Sequence, residues 1–501
     1  MPFRTSSQWA GALWDDVQKG KVTIRKMQNY NKYMSFFGVT EENLRELISI
    51  ALSRGGEYAD LFFEHSVINE LTLRDGEVNA AGTHIDYGVG IRVVKGEKTG
   101  YAYSEITTMP LMKKAALTAA QIADEATATL NVTPDTKILK VDNLYPIGKN
   151  WEETNIEYKI PYLQMLNEKI FAKDSKTVKV IGKIADSNTL VLFYNSNGEA
   201  YTDERPMINV VANCVMEDGK GRSETSGVSR SFRIGFEMLT EELMEEIAAE
   251  VTSKTSFLFE ASQPKGGAMP VVMGAGGSGI LLHEAVGHAF EADFNRKGTS
   301  IFSDMMGQQV CNSNINIVDD GTLKANRGSC NYDDEGIPGQ KTYLVKDGIL
   351  NSYLHDRISA KYYGVSPTGN GRRESFRYMP IPRMRATYME NGNCTEEELI
   401  SQVKKGIYVD NFSNGQVQIG EGDFTFFVKS GYLIEKGKLT QPVKDVNIIG
   451  NGPKALEDIT AVANNSRMEN ATWTCGKGQY VPVSCGMPSI LVKKLIVGGS
   501  N

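Results

Sequence analysis

The segment GAGGSGILLHEAVGHAFEADFN, residues 274–295, constrains the chain more than any other. It follows a strand-like apolar run, AMPVVM, and its glycines open a helix with two unlike halves. At roughly 100° per residue, Leu281, Leu282, Ala285, Val286, Ala289 and Phe290 fill one half of the wheel. His283, Glu284, Gly287, His288 and Glu291 fill the other. The apolar half demands a core, and every residue able to do chemistry faces away from it. The chain has only 5 histidines, at 65, 84, 283, 288 and 355, so two of them flanking a glutamate point toward metal.

The spacing complicates that reading. In H-E-x-x-H the histidines are four apart and reach one ion. Here they are five apart, and a regular helix would leave them ~140° from one another. Two imidazoles so divergent cannot share a tetrahedral ion with Zn–N distances of about 2.0–2.1 Å. A single π-turn, bonded i→i+5, realigns them and is the preferred expectation. A kink at Gly287 would also serve, since glycine has little helical preference. Alternatively His288 alone binds, with Glu284 or Glu291 beside it. The loop Gly274–Gly279 also fits G-x-G-x-x-G between a strand and a helix, a dinucleotide-binding context. The segment beyond it, FNRKGTSIFSDMM, is polar and broken by glycine, so no strand ending in an acid follows. A nucleotide-binding oxidoreductase therefore ranks below a metal site.

At 501 residues the chain exceeds one core, and two or three domains are expected. A net charge of −7 argues against a general binder of nucleic acid or membrane surfaces, which needs a basic face, and leaves room for a small local basic patch. No apolar run spans a bilayer and the N-terminus lacks a signal-peptide core. The 6 cysteines form no C-x-x-C pair, which fits a reduced, cytoplasmic protein. Residues 1–38 lack a clear period and read as an extension. TEENLRELISIALSRGG predicts a helix capped by Thr40 with Leu44, Leu47, Ile48, Ala51 and Leu52 on its buried face. Hairpins follow around Asp75-Gly76 and Lys95-Gly96, with helices near 110–126 and 156–172, strands over 177–236, and a helix over 241–258. Gln263–Gly267 is the best linker. Beyond it the pattern is β-rich, with turns at Asp347-Gly348 and at Ser430-Gly431 or Lys436-Gly437. One helix there has a capping box of Thr395 and Glu398 and a stop at Gly406. The expected class is α+β: an N-terminal α/β-type domain over 39–262, divisible near 150, then a β-rich C-terminal domain over 263–501 carrying the metal-site helix.

A catalytic zinc takes three protein ligands and keeps a position for water. The remaining histidines, the cysteines and the acids are all candidates for the third. Cys475 and Cys485 lie together in the glycine-rich stretch TWTCGKGQYVPVSCGMPS, and the residues alone do not choose between them.

Several blocks, in one order, carry a resemblance: LLHEAVGHAFEADFNRKGTSIFS, VDDGTL, DDEGIPGQKTYLVKDGIL, PTGNGRRESFR and TCGKGQYVPV. With DYGVGIRVVKGEKTGYAYSE in the N-terminal half, they resemble the TldD/PmbA family, also called modulators of DNA gyrase. The resemblance covers about residue 40 to the end. It implies a zinc metallopeptidase of the H-E-x-x-x-H type, with His283, His288 and Cys475 as ligands and Glu284 as general base. It further implies unfolded or extended peptides as substrates and a closed dimer. The partner would be a second copy or a motif-lacking sister chain. The gyrase name implies no nucleic acid, since nothing basic supports it. A thiolate ligand weakens zinc as a Lewis acid, so another group is expected to hold the oxyanion. His355, Arg372 and Arg373 are candidates, and Glu291 is a candidate to orient a histidine. The alternative is a non-catalytic peptide-binding or assembly subunit with a structural metal.

Overall fold

The computed structural model describes residues 25–123, 134–140, 143–145 and 147–499. The first sheet is built from β1 (Tyr58–Arg74), β2 (Glu77–Lys95), β3 (Lys98–Ser104), β4 (Lys137–Ile138), β5 (Thr177–Asn195), β6 (Glu199–Glu217) and β7 (Ser223–Phe232). Its order is β3-β2-β1-β5-β6, with β4 and β7 both pairing with β6. Asp75 and Gly76 both take positive φ, 53° and 85°, the tight two-residue turn whose twist matches the strands it joins.

Helices cover the sheet in two groups. α1 (Arg25–Phe36), α2 (Glu41–Leu52) and α3 (Met109–Ala120) bury Leu44, Ile48 and Met112 against Phe63 of β1 and Ile91 of β2. The Thr40 hydroxyl accepts the Asn43 backbone N–H at 3.2 Å, closing the predicted N-cap of α2 over its predicted buried face. α4 (Ile160–Lys173) and α5 (Glu241–Glu260) bury Leu166, Ile170, Met244 and Val251 against Val210 and Val228.

The C-terminal part holds a closed ring. Strand 438–451 pairs with 423–435 and also with 490–498, while 267–273 joins 490–498 to 405–417. Closure leaves the ring without a free edge. A second sheet, in the order 349–350, 341–346, 317–320, 386–389, 484–487, 467–469, stands beside it. One apolar cluster joins Leu281, Leu282, Ala285, Val286, Ala289 and Phe290 to ring residues Val271, Ile407, Val409, Phe426 and Val428. The histidine-bearing helix is thereby fixed along its whole apolar half. The two parts of the chain meet through buried polar contacts. Arg92 pairs with Asp60 and Glu335, Arg205 Nη1 lies 2.7 Å from Asp334 Oδ1, and Tyr201 donates to the Asp333 carbonyl at 2.8 Å.

Some local expectations are corrected. Of the patternless extension, residues 1–24 lie outside the described residues, but 25–36 form α1 and Tyr30, Tyr33 and Phe37 are buried. The helix expected near 110–126 is described over 109–120, and residues 124–126 lie outside the described residues. The segment from 156 begins with a short 3₁₀ turn before α4. Gly406 does not stop the capping-box helix, which ends at Ser401; it pairs instead inside strand 405–417, where its missing side chain leaves room for the Pro270 carbonyl. Ser430-Gly431 lies within a strand, and the chain reverses at Lys436-Gly437, with φ of 51° and 75°. Phe37→Ala is expected to cost about 3–5 kcal/mol, read as a lower urea midpoint; an unchanged midpoint would show that α1 is only loosely attached.

Candidate metal centre

The helix that follows strand 267–273 changes pitch along its length. Gly277–Gly279 is 3₁₀, Ile280–Leu282 is α, His283–Gly287 is a π-turn, and His288–Phe290 is 3₁₀ again. The His288 N–H donates to the His283 carbonyl, the i→i+5 bond that the five-residue spacing demands. Gly287 is required by packing: a Cβ there would lie 2.0 Å from Met384 Sδ. The glycines before the helix serve packing as well. A Cβ on Gly279 would come within 2.5 Å of the Gly486 backbone nitrogen, so the loop seats against strand 484–487.

The extra residue in the turn brings the two rings together, with centroids 5.1 Å apart and planes at 79°. Cys475 reaches them from a distant hairpin, in which Thr474 pairs with Pro482 and Cys475 with Val481. Gly478, at φ 67°, completes its short loop. The alternation of the strand sends Cys475 and Val481 into the core. His288 Nε2 lies 3.2 Å from Cys475 Sγ, and donor atoms of His283, His288 and Cys475 all lie within 4.8 Å of one another. All three residues are buried.

This donor set fits zinc. Two imidazoles and a thiolate are its customary ligands, and His283 Nδ1 is buried with no hydrogen-bond partner. Burial opposes charge on the Cys475 thiol, yet His283 and His288 outweigh it and hold the thiol down at about 4. His288 is held up at about 10: burial works against its charge, but Glu291 and Cys475 prevail. Cys485 differs sharply, because burial, with Glu469 and Glu284 nearby, pushes its thiol well up. The two cysteines that the residue pattern alone left open, and of which the resemblance chose Cys475, are thus a thiol held down beside two histidines and a buried thiol pushed up.

A second layer holds the first. Glu291 Oε2 accepts from His288 Nδ1 at 3.0 Å, leaving Nε2 toward the thiol. Lys477 Nζ lies 3.0 Å from the same Oε2 and 2.7 Å from Asp293 Oδ1. Arg383 Nε lies 3.6 Å from Glu291 Oε1, and its other nitrogens donate to the Cys475 and Gln479 carbonyls at 2.7 and 2.9 Å. Burial alone would raise the Glu291 carboxyl, but Lys477, His288 and Arg383 hold it at about 2. Sequence reasoning named Glu291 but missed Lys477 and Arg383. Lys477 had a signal, lying two residues after Cys475; Arg383 in PIPRMRATY had none. Glu291→Gln is expected to lower metal affinity about 10–100-fold, measured by competition with a chromogenic chelator; unchanged affinity would remove Glu291 from the site.

Glu284 is half-buried and forms no hydrogen bond among the described residues. The proposed oxyanion groups are engaged elsewhere. His355 Nδ1 lies 3.3 Å from Ser359 Oγ, its ring packs near Tyr353 and Tyr363, and burial pushes it down to about 4. Arg372 donates to the carbonyls of Met384 and Pro482, bracing the second strand of the cysteine hairpin. Arg373 donates to the Asp334 carbonyl at 2.8 Å and approaches Asp60.

Matches to known proteins run through most of the chain. Residues 59–123 match the family model for PmbA/TldA metallopeptidase domain 1, 149–256 the central domain, and 266–499 the C-terminal domain. The chain is 37% identical over 477 residues to the metalloprotease TldD homolog of Haemophilus influenzae, covering 94% of this chain and 99% of that one. It is 28% identical to a protein named zinc metalloprotease TldD homolog of Saccharolobus solfataricus, covering 89% and 97%. In structure it is similar to TldE from Thermococcus kodakarensis, with a TM-score of 0.70 at 19% identity, covering 91% of this chain and 100% of that one.

Proposed function

Since the chain belongs to the PmbA/TldD metallopeptidase family, we propose that it is a zinc-dependent peptidase acting on unfolded or extended peptides. The observation that carries this reading is the convergence of His283, His288 and Cys475 across a π-turn, with the unbonded carboxylate of Glu284 on the same turn. Zinc held by these three residues would supply a polarised water with a pKa near about 7.

Each residue then has a task. His283, His288 and Cys475 hold the ion. Glu284 accepts the proton of the attacking water and returns it to the leaving amine. Glu291 fixes the His288 tautomer, and Arg383 and Lys477 fix Glu291 and the cysteine hairpin. The engaged positions of His355, Arg372 and Arg373 leave the oxyanion role without an assigned side chain.

The same reading makes the protein a cytoplasmic dimer. All 6 cysteines are free, and no helix among the described residues is long and apolar enough to cross a membrane. Residues 77–85 of β2 are exposed throughout, with Val78 and Ile85 51% and 59% exposed, an edge that suits pairing with a second chain. The second subunit is a motif-lacking sister chain or a second copy, and a mass measurement of the assembly distinguishes the two. Chelation followed by a casein assay tests the activity: hydrolysis should vanish and return with zinc. Hydrolysis indifferent to chelator would end the reading.

A further inference from the structure

A cavity of about 450 Å³ lies between the first sheet and the C-terminal part, bordered by Thr474 and Pro482 of the cysteine hairpin. Cys475 points from that hairpin to the histidines, so the cavity lies against the reverse face of the same two strands. Arginines crowd its wall. Three are neutralised: Arg205 by Asp334, Arg373 by Asp60 and Arg377 by Asp86. The other four, Arg233, Arg327, Arg372 and Arg385, form no ion pair with any carboxylate among the described residues, although each is at least 91% buried.

Their hydrogen bonds go only to neutral groups. Arg327 is held by the Trp473 carbonyl, Asn209, Ser231 and Thr474. Arg372 is held by two carbonyls. Arg233 and Arg385 each spend only Nε, on the Arg327 and Gly369 carbonyls. Their terminal nitrogens have no hydrogen-bond partner among the described residues, the Arg233 guanidinium lies 5.5 Å from the centroid of the Tyr145 ring, and both residues line the cavity. Burying one guanidinium without a counter-charge is costly, and burying four together multiplies the cost. Burial, then the charge of Arg233, pushes Arg327 down to about 9, and burial, then Arg385, pushes Arg372 far down. Glu64, Asp86, Asp334 and Glu374 line the same cavity, and Asp203 and Asp333 act on these arginines through space. None of them forms an ion pair with the four, so the cluster has no carboxylate in direct contact among the described residues. Guanidinium forks match carboxylate geometry.

We propose that this cavity binds the free C-terminal carboxylate of the peptide substrate. Its volume exceeds a bare carboxylate and admits a terminal residue with it. Every unfolded peptide carries this group whatever its side chains, so the anchor serves a peptidase of broad sequence tolerance. The inference rests on the peptidase reading for its ligand, but not for the anion site itself.

Thermal unfolding of the metal-free, full-length protein separates the two, because no hydrolysis is involved. The probes are inorganic phosphate and acetyl-tetra-alanine, the peptide as free acid or as C-terminal amide, at constant ionic strength. The free acid at 10 mM is expected to raise the midpoint by about 2–4 °C, equivalent to saturating a weak site, and the amide to leave it unmoved. Arg327→Gln and Arg385→Gln should each abolish the shift; Arg385→Gln, which loses a single hydrogen bond, guards against misfolding of the other. Equal shifts from acid and amide, or a shift that survives in Arg385→Gln, would overturn the proposal. A shift with phosphate but none with the free acid would overturn its assignment to a peptide. Loss of casein hydrolysis under other tests would leave these midpoints unchanged.

Discussion

Glu284→Gln is expected to reduce peptide hydrolysis about a thousandfold while the protein still retains zinc. The side chain is half-buried on the π-turn and forms no hydrogen bond among the described residues, so the amide removes a base without breaking a structural contact. General-base assistance contributes typically about 10²–10⁴-fold, which sets the size of the loss. Glutamine also keeps the volume and the turn. Metal content and unfolding midpoint should therefore match the parent protein. Hydrolysis within tenfold of the parent would mean that another group takes the proton.

Cys475→Ala is the second large effect, and its signature differs. The thiolate lies 3.2 Å from His288 Nε2 and supplies the only negative charge among the three donors. Without it, two imidazoles remain, one fewer than the three protein ligands a catalytic zinc needs. Zinc should be lost on dialysis and hydrolysis should fall to background together. Cys485→Ala is the control: its buried thiol lies in strand 484–487, away from the three donors, and zinc should remain. Retention of zinc in Cys475→Ala with loss in Cys485→Ala would reverse the assignment of the thiols.

The sequence was most informative where one local rule left few solutions. A spacing of five could bring two histidines to one ion only by a π-turn or a break, and the turn lies over His283–Gly287. Asp75-Gly76, Asp347-Gly348 and Lys436-Gly437 each make the reversal their residue types favour. Competing signals were harder to rank. Ser430-Gly431 resembles a turn, but strand pairing on both sides absorbs it. Long-range geometry was not legible at all. Arg383 lies far along the chain from Glu291 and Cys475, and nothing local marks an arginine that will bridge them. The unpaired arginines of the cavity are invisible for the same reason, since a missing counter-charge is a property of the folded surroundings. His283, His288 and Glu291 of the helix's polar half also ended up buried, because the cysteine hairpin closes over them, while Glu284 stays half-buried.

The central claim is that His283, His288 and Cys475 together hold one zinc and leave a position open for water. X-ray absorption at the zinc edge of the reconstituted protein tests it most directly. The account predicts one sulfur at about 2.3 Å, two imidazole nitrogens at about 2.0–2.1 Å, and a light atom completing the tetrahedron. A zinc shell without sulfur, or one filled by four protein ligands, would contradict it.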